Sequence, residues 1–341
     1  MKNRPIDLRS DTFTKPSKEM LEAMMSAEVG DDVFDEDPTI NKLQEKAAQL
    51  FGMESALFCP SGTMTNQIAI NIHTQPGDEV ICHQYSHIYN YEGGGMAFNS
   101  SCQAKLLGGK RGLLNVEEVE QNINPDDIHA ARTSLLSLEN TSNKGGGSCY
   151  ELSSLADLSE VAKSRQLGFH LDGARLFNAL VAKEQNCRDY GALFQTISIC
   201  LSKGLGAPVG SLLLGDKTFI AKAKRVRKKF GGAMRQAGYL AAAGIYALDN
   251  NINRLQKDHD KAQELKNALE ECSWVSHIDP VETNIVIFYL KPGKDQDLFL
   301  NILKEKNILA IGMGQGKLRF VTHLDTSSSE IEFCCEVLKK L

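Results

Sequence analysis

Lys203 and Asp172 are the two residues on which chemistry can be built. The run Ser198-Ile199-Cys200-Leu201-Ser202-Lys203 is an apolar stretch that ends in a serine, a lysine and then glycines. Its apolar part, residues 197–201, reads as a buried strand. A lysine at the carboxyl end of such a strand is costly unless it is paired or covalently engaged. That end is also where open α/β sheets bind ligands. An amine desolvated there loses its proton near neutral pH and attacks a carbonyl to form a Schiff base. The plainer reading is a surface lysine just past a strand. Upstream, Phe169-His170-Leu171-Asp172 is a second apolar run, ending in an acid. Asp172 and Lys203 are 31 positions apart, which fits a strand, a crossover and the next strand. Two parallel strands then deliver both residues to one sheet edge. Pyridoxal phosphate needs that pair, a lysine for its aldehyde and an acid for its pyridinium nitrogen. The plainer reading of Asp172 is a helix N-cap.

Those residues need strands to carry them and a third group for the phosphate. Ser61-Gly62-Thr63 follows a short apolar run and opens a helical pattern. Free backbone N–H groups and the helix dipole there suit an anion, although an ordinary capped helix start has the same appearance. Strands are expected at 56–59, 79–82, 134–138, 168–171, 196–201 and 210–214. Helical patterns at 16–28, 39–50, 64–71 and 152–165 accompany them. This alternation predicts a mostly parallel sheet covered by helices. Residues 235–271 read as almost wholly helical. Strands at 284–290 and 317–322 and a helix at 329–341 follow. The predicted division is therefore 1–248, an N-terminal segment and large cofactor-binding domain, and 249–341, a small C-terminal domain.

The composition excludes several classes. Of 341 residues, 42% are hydrophobic and 24% charged, an ordinary globular balance. A net charge of −5 gives no general attraction to nucleic acid or anionic membrane. The basic run Lys222-Ala-Lys224-Arg225-Val-Arg227-Lys228-Lys229 reads as a solvated helix face or a subunit interface. No leader peptide and no membrane span is read from the sequence. The nine cysteines are odd in number and scattered, which predicts a reduced, cytoplasmic protein with small apolar thiols in its core. The eight histidines form no metal-ligand pattern, so no metal is expected. Gly204 to Gly210 has the wrong spacing for a dinucleotide loop, and Pro208 lacks an N–H where a phosphate needs one.

Seven segments carry a resemblance: IDLRSDTFTKP (6–16), GDDVFDEDPTIN (30–41), LFCPSGTMTNQ (57–67), HLDGARLFNA (170–179), CLSKGLGAPVGS (200–211), GGAMRQAG (231–238) and LRFVTHLD (318–325). In these the chain resembles the pyridoxal-phosphate-dependent low-specificity threonine aldolases, grouped with the aromatic β-eliminating lyases. The resemblance implies the aspartate-aminotransferase-like fold (fold type I): a seven-stranded, mostly parallel sheet in a large domain, plus a smaller α+β domain. It also implies a homotetramer, a dimer of dimers with shared active sites, and roles in glycine biosynthesis and threonine catabolism.

Residue by residue, it implies that Lys203 holds the cofactor and that Asp172 bonds the pyridinium nitrogen. Arg175 lies near the phenolic oxygen. Ser61, Gly62 and Thr63 hold the phosphate, Ser202 belongs to the cofactor site, and Arg235 reaches the phosphate from a neighbouring subunit. His87 stacks on the ring and is catalytic, directly or through a water. Ser10 and Arg319 bind the substrate carboxylate, and Lys228 stands at the entrance. A planar guanidinium grips a carboxylate in a bidentate fork, which suits Arg319. Ser142 stands where the family keeps a histidine for the substrate hydroxyl, and a serine is a poor general base. Phe34 and Asp35 replace a tyrosine and a glycine. Lys144 and three glycines after it predict a mobile loop near the site.

The reaction expected is cleavage of L-threonine or L-allo-threonine to glycine and acetaldehyde. The alternatives are β-elimination on the same cofactor, or a pyridoxal-phosphate-binding protein without catalysis. A nicotinamide oxidoreductase is disfavoured, because no early GxGxxG is present.

Overall fold

A computed structural model describes residues 4–341. The expectation of no leader rests partly on residues 1–3, which lie outside the described residues. Among the described residues, seven strands build one sheet. They are β2 (Ser55–Cys59), β3 (Glu79–His83), β4 (Gln103–Leu107), β5 (Thr133–Glu139), β6 (Gly168–Gly173), β7 (Thr196–Cys200) and β8 (Ser211–Gly215), with β1 (Ile6–Asp7) lying elsewhere. Their order is β2-β8-β7-β6-β5-β3-β4. β8 alone is reversed, pairing antiparallel with β2 and β7, while the other neighbouring pairs are parallel.

The inner strands are apolar because helices cover both faces. Every residue of β3, β5, β7 and β8 is buried, and such strands read as continuous hydrophobic runs. β4 was not predicted. Its sequence, Gln103-Ala104-Lys105-Leu106-Leu107, carries polar residues, because it is an edge strand with only its last residue buried.

The C-terminal part holds an antiparallel sheet of β9 (Val275–Ile278), β10 (Ile285–Leu290), β12 (Ile311–Gly312) and β13 (Lys317–Val321), in the order β12-β13-β10-β9. The expected strands at 284–290 and 317–322 are β10 and β13. The short β11 (Ile308–Leu309) pairs in parallel with β1, Ile6 opposite Ile308. The expected continuous helix of 235–271 is two helices, Gly238–Asn250 and Leu255–Glu270.

The first residues belong to both parts. Ile6 and Leu8 lie in the small core with Trp274, Phe288 and Phe320, whereas a division at residue 248 groups them with the large domain. Farther along, the Thr14 hydroxyl donates to the Lys203 carbonyl at 3.0 Å. The segment thus passes between the two units, and Ser10 and Asp11 fall at their junction. All nine cysteines are free, and most are buried. Burial pushes the Cys59 and Cys82 thiols up to about 12, so they act as small apolar side chains.

Candidate active site

Asp172 and Lys203 come together as the spacing requires. β6 and β7 are adjacent and parallel, with Asp172 opposite Ser198. Lys203 follows the end of β7. A cleft of about 460 Å³ opens there, lined by Ser10, Thr12, His87, Arg175, Lys203 and Arg319 among others. The small domain closes its far side with Ile311, Gly312 and Met313.

Lys203 points its Nζ to within 3.9 Å of the Cys200 Sγ. Cys200 packs in turn against the start of the Gly62–His73 helix. A β-carbon added at Gly62 would lie 2.6 Å from that sulfur, so only glycine lets the helix approach this closely. Ser61 caps the helix, its Oγ accepting from the Met64 N–H at 3.2 Å. Thr63 is exposed, and Ser202 is half-buried.

Asp172 is buried. Its Oδ1 accepts from the Ala174 N–H at 3.1 Å and its Oδ2 from the Asn66 amide at 2.9 Å. His87 opens a short helix, His87–Asn90. Its Nδ1 lies 2.9 Å from Glu92 Oε1, and its backbone N–H donates to Glu139 Oε2 at 2.7 Å. Burial lowers the proton affinity of His87, but the Glu92 hydrogen bond and the Asp172 charge outweigh it, and the imidazole pKa is raised. Glu139 moves up to about 7, first because it is fully buried and then because Asp172 is near; the two backbone N–H donors from Asn143 and His87 only partly offset this.

On the opposite side, Arg175 forms a buried bidentate pair with Asp11, 2.7 Å from Nε and 2.6 Å from Nη2. Desolvation works to raise the Asp11 pKa, but the guanidinium overcomes it and holds it down at about 2. Arg319, on β13, donates from Nη1 to Asn143 Oδ1 at 2.9 Å and from Nη2 to the Arg9 carbonyl at 3.0 Å. Its buried Nε has no hydrogen-bond partner among the described residues. Burial and the nearby Arg175 lower its pKa to about 10, which still leaves it charged at neutral pH. Ser10 Oγ accepts from the Thr12 N–H at 3.2 Å and lines the cleft beside it.

Of the expected residues, Ser142, Arg235 and Lys228 do not line the cleft, and neither do Ser61, Gly62, Thr63, Ser202 or Asp172. Ser142 is 1% exposed and bridges to Ser148. A β-carbon at Gly112 would sit 2.0 Å from its Oγ, so the hydroxyl faces the glycine turn and not the cleft. Asn143, the next residue, lines the cleft instead. Alternate residues of an extended segment face opposite ways, so a one-residue shift decides which one reaches the cleft. Arg235 is exposed and paired with Asp31 at 2.8 Å, and Lys228 is exposed on the Lys217–Lys229 helix. Phe34 is exposed, and Asp35 takes a left-handed conformation paired with Lys224. Lys144 lines the cleft mouth, its Nζ 5.4 Å from the Tyr91 ring centroid and 5.7 Å from that of Tyr85.

Sequence reasoning missed Asn66, Glu92, Asp11, Thr12 and Asn143. Asp11, Asn66 and Thr12 sit inside the quoted segments, which was the available signal. Glu92 had none, because nothing in its own segment marks His87 as its partner.

An α/β enzyme with a lysine and a buried aspartate at the carboxyl ends of adjacent parallel strands is the class this geometry defines. The chain belongs to the beta-eliminating lyase family, whose model matches residues 7–292. It is 45% identical to the low specificity L-threonine aldolase of Escherichia coli K12 over 328 residues, covering 96% of each chain. It is 39% identical to low-specificity L-threonine aldolase 1 of Arabidopsis thaliana, covering 97% of this chain and 94% of that one. Among solved structures, the threonine aldolase of Leishmania major superposes with a TM-score of 0.86 at 22% identity, covering 98% and 99% of the two chains. That likeness gives the fold. Among the described residues, no helix is long and apolar enough to cross a membrane.

Proposed function

We propose that the protein cleaves the Cα–Cβ bond of L-threonine and L-allo-threonine, giving glycine and acetaldehyde, with pyridoxal phosphate as cofactor. The observation that carries this reading is a cleft lined by an amine, Lys203, and by a guanidinium with an unpartnered buried Nε, Arg319, with the buried carboxylate Asp172 on the parallel strand next to the one that leads to Lys203. The naming of relatives as threonine aldolases supplies the substrate. When bound, the cofactor supplies an aldehyde for the lysine and a ring that takes up the electron pair of the breaking bond.

The donor set fits that group. Lys203 would hold it covalently, and Asp172 would meet the ring nitrogen and keep it protonated. Gly62, Thr63 and the free N–H groups of that helix start would take the phosphate, with Ser61 and Ser202 beside it. His87 would lie over the ring, with Glu92 fixing its Nδ1 and leaving Nε2 free to hold or move a proton at the substrate hydroxyl. Arg175, already occupied by Asp11, would face the phenolic oxygen. Arg319 and Ser10 would bind the substrate carboxylate, and that grip sets which Cα bond stands across the ring. Arg235 and Lys228, exposed in one chain, would complete the site of an adjacent subunit in a homotetramer. A cytoplasmic location and a role in glycine formation accompany this reading.

Product analysis tests it. Incubation with a panel of β-hydroxy amino acids should release acetaldehyde and glycine from threonine. Ammonia and a keto acid, without acetaldehyde, would establish β-elimination instead.

A further inference from the structure

Asn66 sits on the Gly62–His73 helix between two acids. Its Nδ2 donates to Asp172 Oδ2 and to Glu92 Oε1, both at 2.9 Å. One oxygen each of Asp172 and Glu92 and the His87 Nδ1 lie within 4.8 Å of one another. All three residues, Asn66, Glu92 and Asp172, are nearly free of solvent. Two carboxylates so close in a dry site tend to share a proton, unless each receives a donor of its own. Asn66 provides one amide hydrogen to each, and Gln67 adds another to Glu92 Oε2 at 2.7 Å.

An amide serves this purpose in one orientation only, since reversal turns its oxygen toward both anions. What fixes the orientation lies behind it. Asn66 Oδ1 is 3.2 Å from His170 Nε2; His170 Nδ1 is 2.9 Å from the Thr196 hydroxyl; that hydroxyl is 2.9 Å from His73 Nε2. With Asn66 Nδ2 committed to the acids, its oxygen must accept, so His170 carries its proton on Nε2. A neutral His170 then accepts at Nδ1 from Thr196, whose oxygen accepts from His73 Nε2–H. Burial lowers the pKa of both imidazoles, His170 to about 3 and His73 to about 4, so both are neutral as this direction requires. Every donor in the row has one acceptor and no tautomer is left free.

We propose that Asn66, locked by His170, is a positioning residue that holds Asp172 and Glu92 side by side through one amide hydrogen to each, so that the ring-nitrogen acid and the imidazole of His87 are held as one unit. This rests on the pyridoxal phosphate reading above. Glu139, buried on the adjacent strand with its pKa near 7, is the neighbouring acid that such an arrangement must also tolerate.

The test uses holoenzyme loaded with pyridoxal phosphate labelled with ¹⁵N in the ring, for the parent and for Asn66→Leu, His170→Leu and His170→Gln. Glutamine places an N–H where His170 Nε2 stands, so His170→Gln should keep the parental ¹⁵N shift and bind cofactor within about twofold of the parent. His170→Leu and Asn66→Leu should move the ring nitrogen toward its neutral shift. They should also weaken cofactor binding roughly tenfold to a hundredfold, the range for hydrogen bonds to charged groups, and lower kcat more than they change KM. If Asn66→Leu does not fold, the two His170 variants decide alone, compared at equal thermal stability. A His170→Leu protein with the parental shift and affinity overturns the assignment. A parent that takes no cofactor on Lys203, by borohydride trapping, overturns both this and the reading beneath it.

Discussion

The two walls of the cleft hold buried carboxylates that behave in opposite ways. On one wall Asp11 lies in the fork of Arg175, and its pKa is held at about 2. On the other, Glu139 receives only backbone N–H groups and feels Asp172, and its pKa rises to about 7. Both are fully shielded from water, so burial alone does not set the charge; the nearest partner does. The Asp11 wall also carries Arg319, a cation with a spare donor, whereas the Glu139 wall gathers Asp172 and Glu92 around one histidine. The cleft is thus polarised across its width, which suits a substrate with a carboxylate at one end and a cofactor ring with a protonated nitrogen at the other.

The largest effect is expected from Lys203→Ala, which removes the amine both walls face. It should abolish borohydride-reducible cofactor attachment altogether; a reduced pyridoxyl group on a different lysine would move the site.

Next, Asp11→Asn should break the contrast at its low-pKa end. It leaves the Arg175 guanidinium buried without a counter-charge, a loss of about 3–5 kcal/mol of stability. The sign of its pH dependence follows from the lowered pKa. Asp11 contributes stability that is complete above its unfolded value near 4 and is lost as pH falls toward 2. Acid unfolding of the parent and the variant should therefore converge only below about pH 2, and curves that stay parallel would contradict the pairing.

Arg319→Ala tests the spare donor on the same wall. Transition-state stabilisation should drop by about 2–4 kcal/mol, roughly a 30- to 1000-fold fall in kcat/KM for threonine, with cofactor binding nearly unchanged. An unaltered kcat/KM would take Arg319 out of the substrate site.

Glu139→Gln sharpens the comparison from the other wall. A carboxyl whose folded pKa is raised binds extra protons in the folded state between about pH 4.5 and 7, so the parent loses that stability as pH rises through this window. The melting temperature of the variant, relative to the parent, should improve from pH 4.5 to 7. A constant difference would mean that Glu139 is ionised throughout.

The smallest effects concern the 142–143 step. Ser142→Ala should alter turnover of either threonine diastereomer less than about twofold, because its hydroxyl faces Gly112. Asn143→Ala, which strips a partner from Arg319, should raise KM by more. Ser142→His has no room without displacing the turn at Gly112, so lower stability and not higher activity is its expected outcome. Steady-state kinetics and thermal unfolding on the three variants separate these cases.

The sequence by itself determined most of the central sheet and the placing of Asp172 and Lys203 at the ends of adjacent parallel strands. Apolar runs of strand length, a lysine and an acid at their ends and a 31-residue spacing leave little freedom once crossovers are fixed in length and hand. It also determined the helix start that Ser61 caps, which is a matter of local backbone geometry. The tertiary structure alone decided what each charged group meets. Asp11 joins Arg175 across 164 positions, Asn66 joins Asp172 across 106, and Glu139 joins the His87 backbone across 52. No local period records such pairings, because a side-chain partner brought by another element leaves no trace in its own segment. The same holds for the edge strand β4 and for β1, whose two residues pair with β11 some 300 positions away. It holds for Ser142 too: the family resemblance placed it in a substrate pocket, whereas the facing of one extended residue and the approach of Gly112 turned it into the interior.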